Sequence, residues 1–223
     1  MTIHRGDGLW GLVAVPKGEC QMVFNEHNAL NQALFLQINA GLLTPDWLIA
    51  GAIFVAQYLI FLLPALLLIL WLWGGDARRA VAFKALSVAL LALGINLLIG
   101  WGWPEPRPFM MGVGHTWIAH AADASFPSDH MTVFMSVGLT FLLSGLWGFG
   151  LVILLGSLAV AWARVFLGVH FPLDMLGSVL VATGSYFVVF WGWPRGGKRL
   201  LAWAEHIYRV LLARPIRIGW VRR

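Results

Sequence analysis

Polar side chains able to do chemistry occur in four short segments of the chain: Arg107 between two prolines, Ser128-Asp129-His130 after Pro127, Arg164 late in an apolar run, and His170 with Asp174 around Pro172. Two guanidinium groups suit an oxyanion, because their fork of donors matches the geometry of phosphate. Two histidines can divide nucleophilic and acid–base work. The combination predicts phosphoryl transfer.

The spacing of these residues adds two supporting features. A helix that begins at Ser128 would offer free backbone N–H groups to a phosphate. Asp174, four residues after His170, could hold one ring nitrogen and so fix the tautomer of the imidazole. The sequence has neither a carboxylate cluster suited to Mg²⁺ nor a glycine-rich phosphate loop with a lysine. We therefore expect metal-independent chemistry with no cofactor.

Each residue also has a simpler structural explanation when it is taken alone. Ser128 could be only a helix N-cap, and Asp174 could be an acid favoured by the helix dipole. Arg164 could extend to lipid headgroups, Arg107 could touch lipid phosphate, and His170 could be a histidine at the membrane interface. These explanations need five independent coincidences on one membrane face, so the joint phosphate site is the better hypothesis.

The elements that must position these residues are membrane-spanning helices. Of the 223 residues, 60% are hydrophobic and 11% are charged, and the mean hydropathy is +0.79. This composition excludes a soluble domain and a disordered chain. The net charge of +5 fits the basic cytoplasmic side of a membrane protein better than a nucleic-acid-binding surface. Thirteen tryptophans fit an aromatic belt at the interface.

Charge-free apolar runs predict one domain of five spans, at 47–73, 81–101, 128–144, 149–168 and 172–193. A turn at Ser144–Gly148 separates the third span from the fourth. Prolines predict a non-helical loop over 102–127. An N-terminal segment, 1–27, precedes an amphipathic helix at 28–44, for which an interfacial helix and a polar span both remain open. The basic tail, 194–223, carries a surface helix at about 198–212.

The distribution of basic residues predicts the orientation in the membrane. Five spans place three Lys or Arg on the side of the 102–127 loop and eleven on the side of the tail, with Arg164 inside a span. Positive residues collect in the cytoplasm. We therefore expect the tail to be cytoplasmic and the phosphate site to face the exterior or periplasm. The tail would then anchor the protein to anionic headgroups.

The motif residues resemble the three-part signature of the type 2 phosphatidic acid phosphatase (PAP2) superfamily, which includes vanadium haloperoxidases and glucose-6-phosphatase. The parts are Arg107-Pro108, Pro127-Ser128-Asp129-His130, and Arg164 followed at fixed spacing by His170 and Asp174. The stretch from Pro106 to Phe109, with 120–130 after it, is similar to the BcrC-type undecaprenyl-diphosphatases of the bacitracin-resistance branch.

The resemblance implies a bundle of five to six transmembrane helices in the bacterial cytoplasmic (inner) membrane. It implies hydrolysis of undecaprenyl diphosphate to undecaprenyl phosphate and inorganic phosphate, a step that recycles the lipid carrier of cell-wall synthesis. In this hypothesis His170 is the nucleophile, Asp174 orients it, and His130 is the acid and base. The phosphate-binding set is Arg107, Arg164, Ser128 and Asp129. Partners are the polyprenyl diphosphate and membrane lipids, not nucleic acid.

Three other functions remain open. The same residues would serve a broader lipid phosphatase acting on phosphatidic acid or phosphatidylglycerol phosphate, or a lipid phosphotransferase. A transporter or lipid-binding membrane protein would instead show an internal repeat and polar residues through the midplane, which the sequence lacks. The oligomeric state and the lipid chain length stay undetermined.

The sequence departs from the superfamily pattern at several positions. Gly100 stands where the first motif usually has a phosphate-binding lysine, Asp129 replaces a common glycine, and Ala163 replaces a serine. Four loop residues are candidates for substrate specificity: Glu105, His115, His120 and Asp123.

Overall fold

The computed structural model describes residues 20–222, which form nine α-helices and no strand: α1 (Cys20–Ile38), α2 (Asp46–Tyr58), α3 (Leu62–Trp73), α4 (Asp76–Gly102), α5 (Asp129–Leu143), α6 (Trp147–Phe166), α7 (Pro172–Gly192), α8 (Lys198–Leu211) and α9 (Ala213–Arg217). Short 3₁₀ turns lie at Leu59–Phe61 and Pro108–Met111, and a π turn at Trp193–Gly197. The predicted all-α fold is confirmed.

Within the described residues, four helical stretches are long and apolar enough to cross a membrane: Asp46–Trp73, Asp76–Gly102, Trp147–Phe166 and Pro172–Leu211. They match four predicted spans, although α4 begins five residues before the predicted 81. The first stretch joins α2 to α3 through the 3₁₀ turn, just before Pro64, whose ring removes a helical hydrogen bond. The multi-span membrane fold is confirmed.

The predicted third span, α5, is shorter than the others. Its 15 residues make about 22 Å of helix, less than the ~30 Å of a hydrocarbon core. It packs against α4, α6 and α7 at the centre of the bundle, where Phe134, Val137 and Phe141 are buried. The predicted break after it is confirmed, with Gly145 at φ +86° in the turn to α6.

The N-terminal helix differs from the prediction in position. The structure places it at Cys20–Ile38 rather than 28–44, because Asn39 leaves the helix to bond the backbone of two other segments. Residues 1–19 of the predicted N-terminal segment lie outside the described residues. The fully non-helical loop at 102–127 is also wrong at one turn, since Pro108 starts the 3₁₀ turn at 108–111.

The two ends of the bundle carry different chemistry. At one end, the last residues of α1, α4 and α6 meet the first residues of α5 and α7. At the other end, the predicted tail helix is present as α8, and the chain after α9 folds back onto the α3–α4 connection. There Arg222 N donates to Leu72 O at 2.9 Å, and Trp73 Nε1 donates to Trp220 O at 2.8 Å.

Candidate active site

His170 and Asp174 lie where the short α6–α7 connection turns into α7. Gly168 makes this turn with φ +83°, and a Cβ there would lie 2.1 Å from the His115 carbonyl oxygen, so only glycine fits. Asp174 is the third residue of α7, and its Oδ2 accepts a hydrogen bond from Phe171 N at 2.8 Å. The start of the helix therefore orients the carboxylate toward the imidazole.

The hydrogen bonds of His170 determine its tautomer. Nδ1 lies 3.0 Å from Asp174 Oδ2, and an ionised carboxylate can only accept. Nε2 lies 3.0 Å from Nη1 of Arg107 and 3.4 Å from Nη2 of Arg164, and a guanidinium can only donate. The proton is therefore on Nδ1, and the Nε2 lone pair faces two cations. A neutral nitrogen in this position is able to act as a nucleophile toward an anion that the two guanidinium groups bind.

Arg107 is held rigidly in the loop that precedes α5. Its Nε donates to Asp123 Oδ1 at 2.9 Å, its Nη1 to Val169 O at 2.9 Å, and its Nη2 to Ala124 O at 3.0 Å. The side chain is 6% exposed. A guanidinium fixed in this way needs little reorganisation when it binds a phosphate oxygen.

Arg164, in the last turn of α6, has a histidine as its neighbour. Its Nη2 donates to His120 Nε2 at 2.8 Å, while His120 Nδ1 lies 3.1 Å from the Ala121 carbonyl. Arg164 is 3% exposed, and among residues 20–222 its Nε has no hydrogen-bond partner. That buried donor is suited to an oxyanion, because a buried N–H without an acceptor is costly.

The N-terminus of α5 brings the remaining motif residues to the same end. Ser128 is the N-cap, and its Oγ is buried and without a partner within the described range. Asp129 points aside, with Oδ1 accepting from Asn96 Nδ2 at 2.8 Å. His130 is half-buried in the first turn, within electrostatic range of Arg164 and His170. Seven predicted residues thus meet here: Arg107, Ser128, Asp129, His130, Arg164, His170 and Asp174.

The four specificity candidates divide into two pairs. His120 and Asp123 contact the two arginines, as described above. The Glu105 carboxylate instead accepts from Trp103 Nε1 at 2.8 Å. The His115 side chain is exposed, and its backbone N–H and carbonyl pair with Asn39. Glu105 and His115 therefore contribute mainly through their backbone to the shape of the loop.

Two residues that pattern reasoning did not select support the site. Ser125 is fully buried, and its hydroxyl donates to Asp174 Oδ2. Asn39 donates to Phe166 O at 3.0 Å and to His115 O at 2.9 Å, and it accepts from His115 N at 2.7 Å. A loop serine carries no signal in a sequence. Asn39 lies at the end of an amphipathic helix, where a polar residue is common and does not indicate a function.

The glycine at the lysine position of the first motif has a packing explanation. A Cβ on Gly100 would lie 3.2 Å from the Ala124 Cβ, which is a tight contact. The small residue lets the 120–125 segment lie against α4. That segment carries groups that hold both arginines, so the glycine allows these groups to pack close to α4.

The loop and turn environment shifts the protonation of three groups. Burial lowers the pKa of His170 to about 4, with the charges of Arg164 and Arg107 lowering it further and Asp174 opposing them. Burial also lowers the pKa of His120, helped by both arginines. Burial acts to raise the pKa of Asp123, but the hydrogen bond and charge of Arg107 bring it below its usual range. Both histidines are therefore neutral at pH 7.

Curated proteins similar to this chain include two from well-known bacteria. The chain is 42% identical over 197 residues to YbjG of Escherichia coli, provisionally named an undecaprenyl-diphosphatase, covering 86% of this chain and 98% of that protein. It is 38% identical over 139 residues to the undecaprenyl-diphosphatase BcrC of Bacillus subtilis, covering 62% of this chain and 71% of the relative.

Solved structures show the same fold. Aquifex aeolicus LpxE aligns with a TM-score of 0.62 at 20% identity, covering 72% of this chain and 94% of that one. The PAP2-type phosphatidylglycerolphosphate phosphatase of Bacillus subtilis aligns with a TM-score of 0.55 at 19% identity, covering 76% and 87%. The sequence profile of the PAP2 superfamily matches residues 81–198, from α4 to the first residue of α8. The chain therefore belongs to the PAP2 superfamily.

Proposed function

We propose that this protein is a membrane phosphatase that hydrolyses undecaprenyl diphosphate to undecaprenyl phosphate and inorganic phosphate. The observation that carries the proposal is the neutral His170 ring, with Nδ1–H on Asp174 and the Nε2 lone pair between Arg107 and Arg164. The names of the relatives YbjG and BcrC support this lipid as the substrate. No metal or other cofactor takes part.

The reaction proceeds in two displacements. His170 Nε2 attacks the terminal phosphorus, the Nε2–P bond forms, and the bond from phosphorus to the bridging oxygen breaks. His130 gives its proton to the departing lipid phosphate. A water molecule then attacks the phosphohistidine and gives a proton to His130. The N–P bond breaks, inorganic phosphate leaves, and the Nε2 lone pair is restored.

The buried donors stabilise the charge that develops on the phosphoryl oxygens. Arg107 and Arg164 supply guanidinium N–H groups, and Ser128 supplies its hydroxyl together with the backbone N–H groups of the α5 N-terminus. Asp129 is the first residue of α5 and contributes its backbone N–H group to this set. His120 contacts Arg164 and Asp123 contacts Arg107, so these two residues tune the charge around the bound phosphate.

The membrane arrangement follows from charge. One membrane-embedded unit extends over 28–193, and the basic tail, 194–223, is cytoplasmic. The site then faces the exterior or periplasm of the inner membrane, where the diphosphate enters sideways from the bilayer. Mapping accessibility with a membrane-impermeant thiol reagent, in a Cys20→Ser background, tests this: a cysteine introduced at His115 should react in intact cells, and one introduced at His206 should not.

The decisive experiment measures phosphate release from undecaprenyl diphosphate by the purified protein in detergent with EDTA present. The wild type should release phosphate, and so should the control His206→Ala, which changes an exposed residue of α8. The rate of phosphate release should be at least about 10³-fold lower in His170→Ala. Labelled substrate should leave acid-labile, base-stable phosphate on the protein. A requirement for Mg²⁺ would contradict the mechanism, and preferential release from phosphatidic acid would overturn the substrate.

A further inference from the structure

Ser125 lies in the loop before α5, with its side chain fully buried against the start of α7. Its backbone N–H donates to Glu105 O at 2.8 Å, which anchors the loop at this point. Its hydroxyl donates to Asp174 Oδ2, and its Oγ lies 3.3 Å from His170 Nδ1. The serine thus contacts both members of the histidine–carboxylate pair.

We propose that Ser125 is a positioning residue that fixes the Nδ1–H tautomer of His170 by holding Asp174, a role that rests on the proposed function. Oδ2 of Asp174 accepts from Phe171 N, His170 Nδ1 and Ser125 Oγ. The first two donors lie next to Asp174 in the chain. Arg107 itself contacts His170 Nε2, and Ser125 adds a contact from the same loop to the Asp174 carboxylate.

The geometry gives this serine a specific effect on the proton. Because its hydrogen is used on Oδ2, Oγ presents only lone pairs to Nδ1, and Nδ1 must keep its hydrogen. When the Nε2–P bond forms, the ring gains positive charge and the Asp174 carboxylate offsets it. The proton stays on Nδ1 throughout, because the Ser125 hydrogen bond keeps the carboxylate oriented toward it.

Removing the hydroxyl changes one contact in a charged environment that otherwise stays in place. The groups facing His170 are Asp174 on α7, Arg164 on α6, His130 on α5, and Arg107 and His120 in the loop. Without the Ser125 donor, the Asp174 carboxylate is free to turn away from Nδ1, so it stabilises the imidazolium less. The acid limb of the kcat/KM profile should therefore move to lower pH in Ser125→Ala.

The experiment compares Ser125→Ala, Ser125→Thr and the control Ser136→Ala, whose serine is equally buried in α5 with an Oγ that has no partner in the described chain. With undecaprenyl diphosphate, Ser125→Ala should lower kcat by about 10- to 100-fold and leave KM within about twofold. Threonine, which keeps the hydroxyl, should recover most of the loss. The control should resemble the wild type.

Three results would overturn the role of Ser125. These are a wild-type kcat in Ser125→Ala, a loss without any change in the acid limb, or a loss that threonine fails to recover while the melting temperature stays normal. Histidine ¹⁵N NMR of the substrate-free protein tests the same point without turnover. His170 should be purely Nδ1–H in the wild type and a tautomer mixture in Ser125→Ala. If the wild type hydrolyses no lipid, the proposed function is wrong. The NMR measurement then still tests whether Ser125 fixes the tautomer of His170.

Discussion

Nη1 of Arg107 donates a hydrogen bond to Nε2 of His170 across 3.0 Å, so the lone pair of the proposed nucleophile is covered by a cation of the proposed phosphate site. An incoming phosphate oxygen is a stronger acceptor for the guanidinium than a neutral imidazole, because it carries a negative charge that attracts the cation. The anion therefore draws the guanidinium donor away from the ring. In the proposed reaction, the lone pair therefore becomes free only when a phosphate is present to be attacked.

The contact between Arg107 and Asp123 gives a first prediction. Two carbonyl groups also hold Arg107, so Asp123→Asn should leave its orientation intact while removing a negative charge from the site. The Asp123 side chain is 61% exposed, so the gain in attraction for the diphosphate is small. KM should fall by about threefold, with kcat within about twofold. Steady-state kinetics at two salt concentrations check this, and a rise in KM would show that the carboxylate is needed for orientation.

The low pKa of His170 predicts the pH dependence. The imidazole acts in its neutral form, which is present above a pKa of about 4 and is lost as the pH falls through that value. Phosphoenzyme formation should therefore stay near its maximum down to about pH 5. Rapid-quench measurements from pH 4 to 8 test this. Ser136→Ala is the control, because ionisation of the substrate affects its rate in the same way as the rate of the wild type. An acid limb centred near 6.5 would contradict it.

His130 should matter less for a diphosphate than for a monophosphate. A lipid phosphate is a weakly basic leaving group with a second pKa near 6, whereas an alkoxide leaves only with a proton. His130→Gln should therefore lower kcat/KM for farnesyl phosphate at least about tenfold more than for farnesyl diphosphate, within the 10²–10⁴ range of general acids. His206→Gln is the matched control. Equal losses on the two substrates would remove His130 from the role of acid.

Helix α1 supports the site although the family profile begins at residue 81. Asn39 joins the backbone at Phe166 and His115, and Asn31 Oδ1 accepts from Leu173 N at 3.1 Å. Asn39→Ala should cost about 1–3 kcal/mol of stability and lower kcat by about tenfold or more through misplaced loops. Gln37→Ala, exposed on the same helix, should do neither. Thermal unfolding and turnover measure both effects. Equal melting temperatures and equal kcat values for Asn39→Ala and Gln37→Ala would show that α1 acts independently of the site.

The opposite end of the bundle predicts a loss of stability without loss of turnover. Arg79 is fully buried, with Nε donating to Trp71 O at 2.8 Å and Nη2 donating to Tyr208 Oη at 3.2 Å and to Arg222 O. Arg79→Lys cannot make all of these contacts. It should cost about 2–4 kcal/mol and lower the Tm by roughly 5–10 °C.

The neighbouring Arg78 is exposed and provides the matched control for this end. Arg78→Lys should leave the Tm unchanged, and both variants should keep the kcat of the wild type per folded molecule. Phosphate release normalised to monodisperse protein gives the comparison. A hundredfold fall in kcat for Arg79→Lys would mean that this end of the bundle communicates with the site.

Much of this protein follows from its sequence, because hydropathy and side-chain chemistry are properties of each local segment. Charge-free runs located the spans to within a few residues. The phosphate chemistry followed from the types and spacing of Arg107, His130, Arg164 and His170. The boundaries of α1 were predicted wrongly, because Asn39 leaves the helix to donate hydrogen bonds to His115 O and Phe166 O. These partners lie 76 and 127 residues away in the sequence.

Only the tertiary structure decided how the site is held. Ser125 reaches His170 across 45 residues of sequence, and Arg107 reaches it across 63. Such contacts depend on how α5, α6 and α7 pack, which no local pattern encodes. The tautomer of His170 was decided in the same way, because it depends on which donors and acceptors surround the two ring nitrogens. The sequence determined which groups are available for the chemistry, and the packing determined where their protons lie.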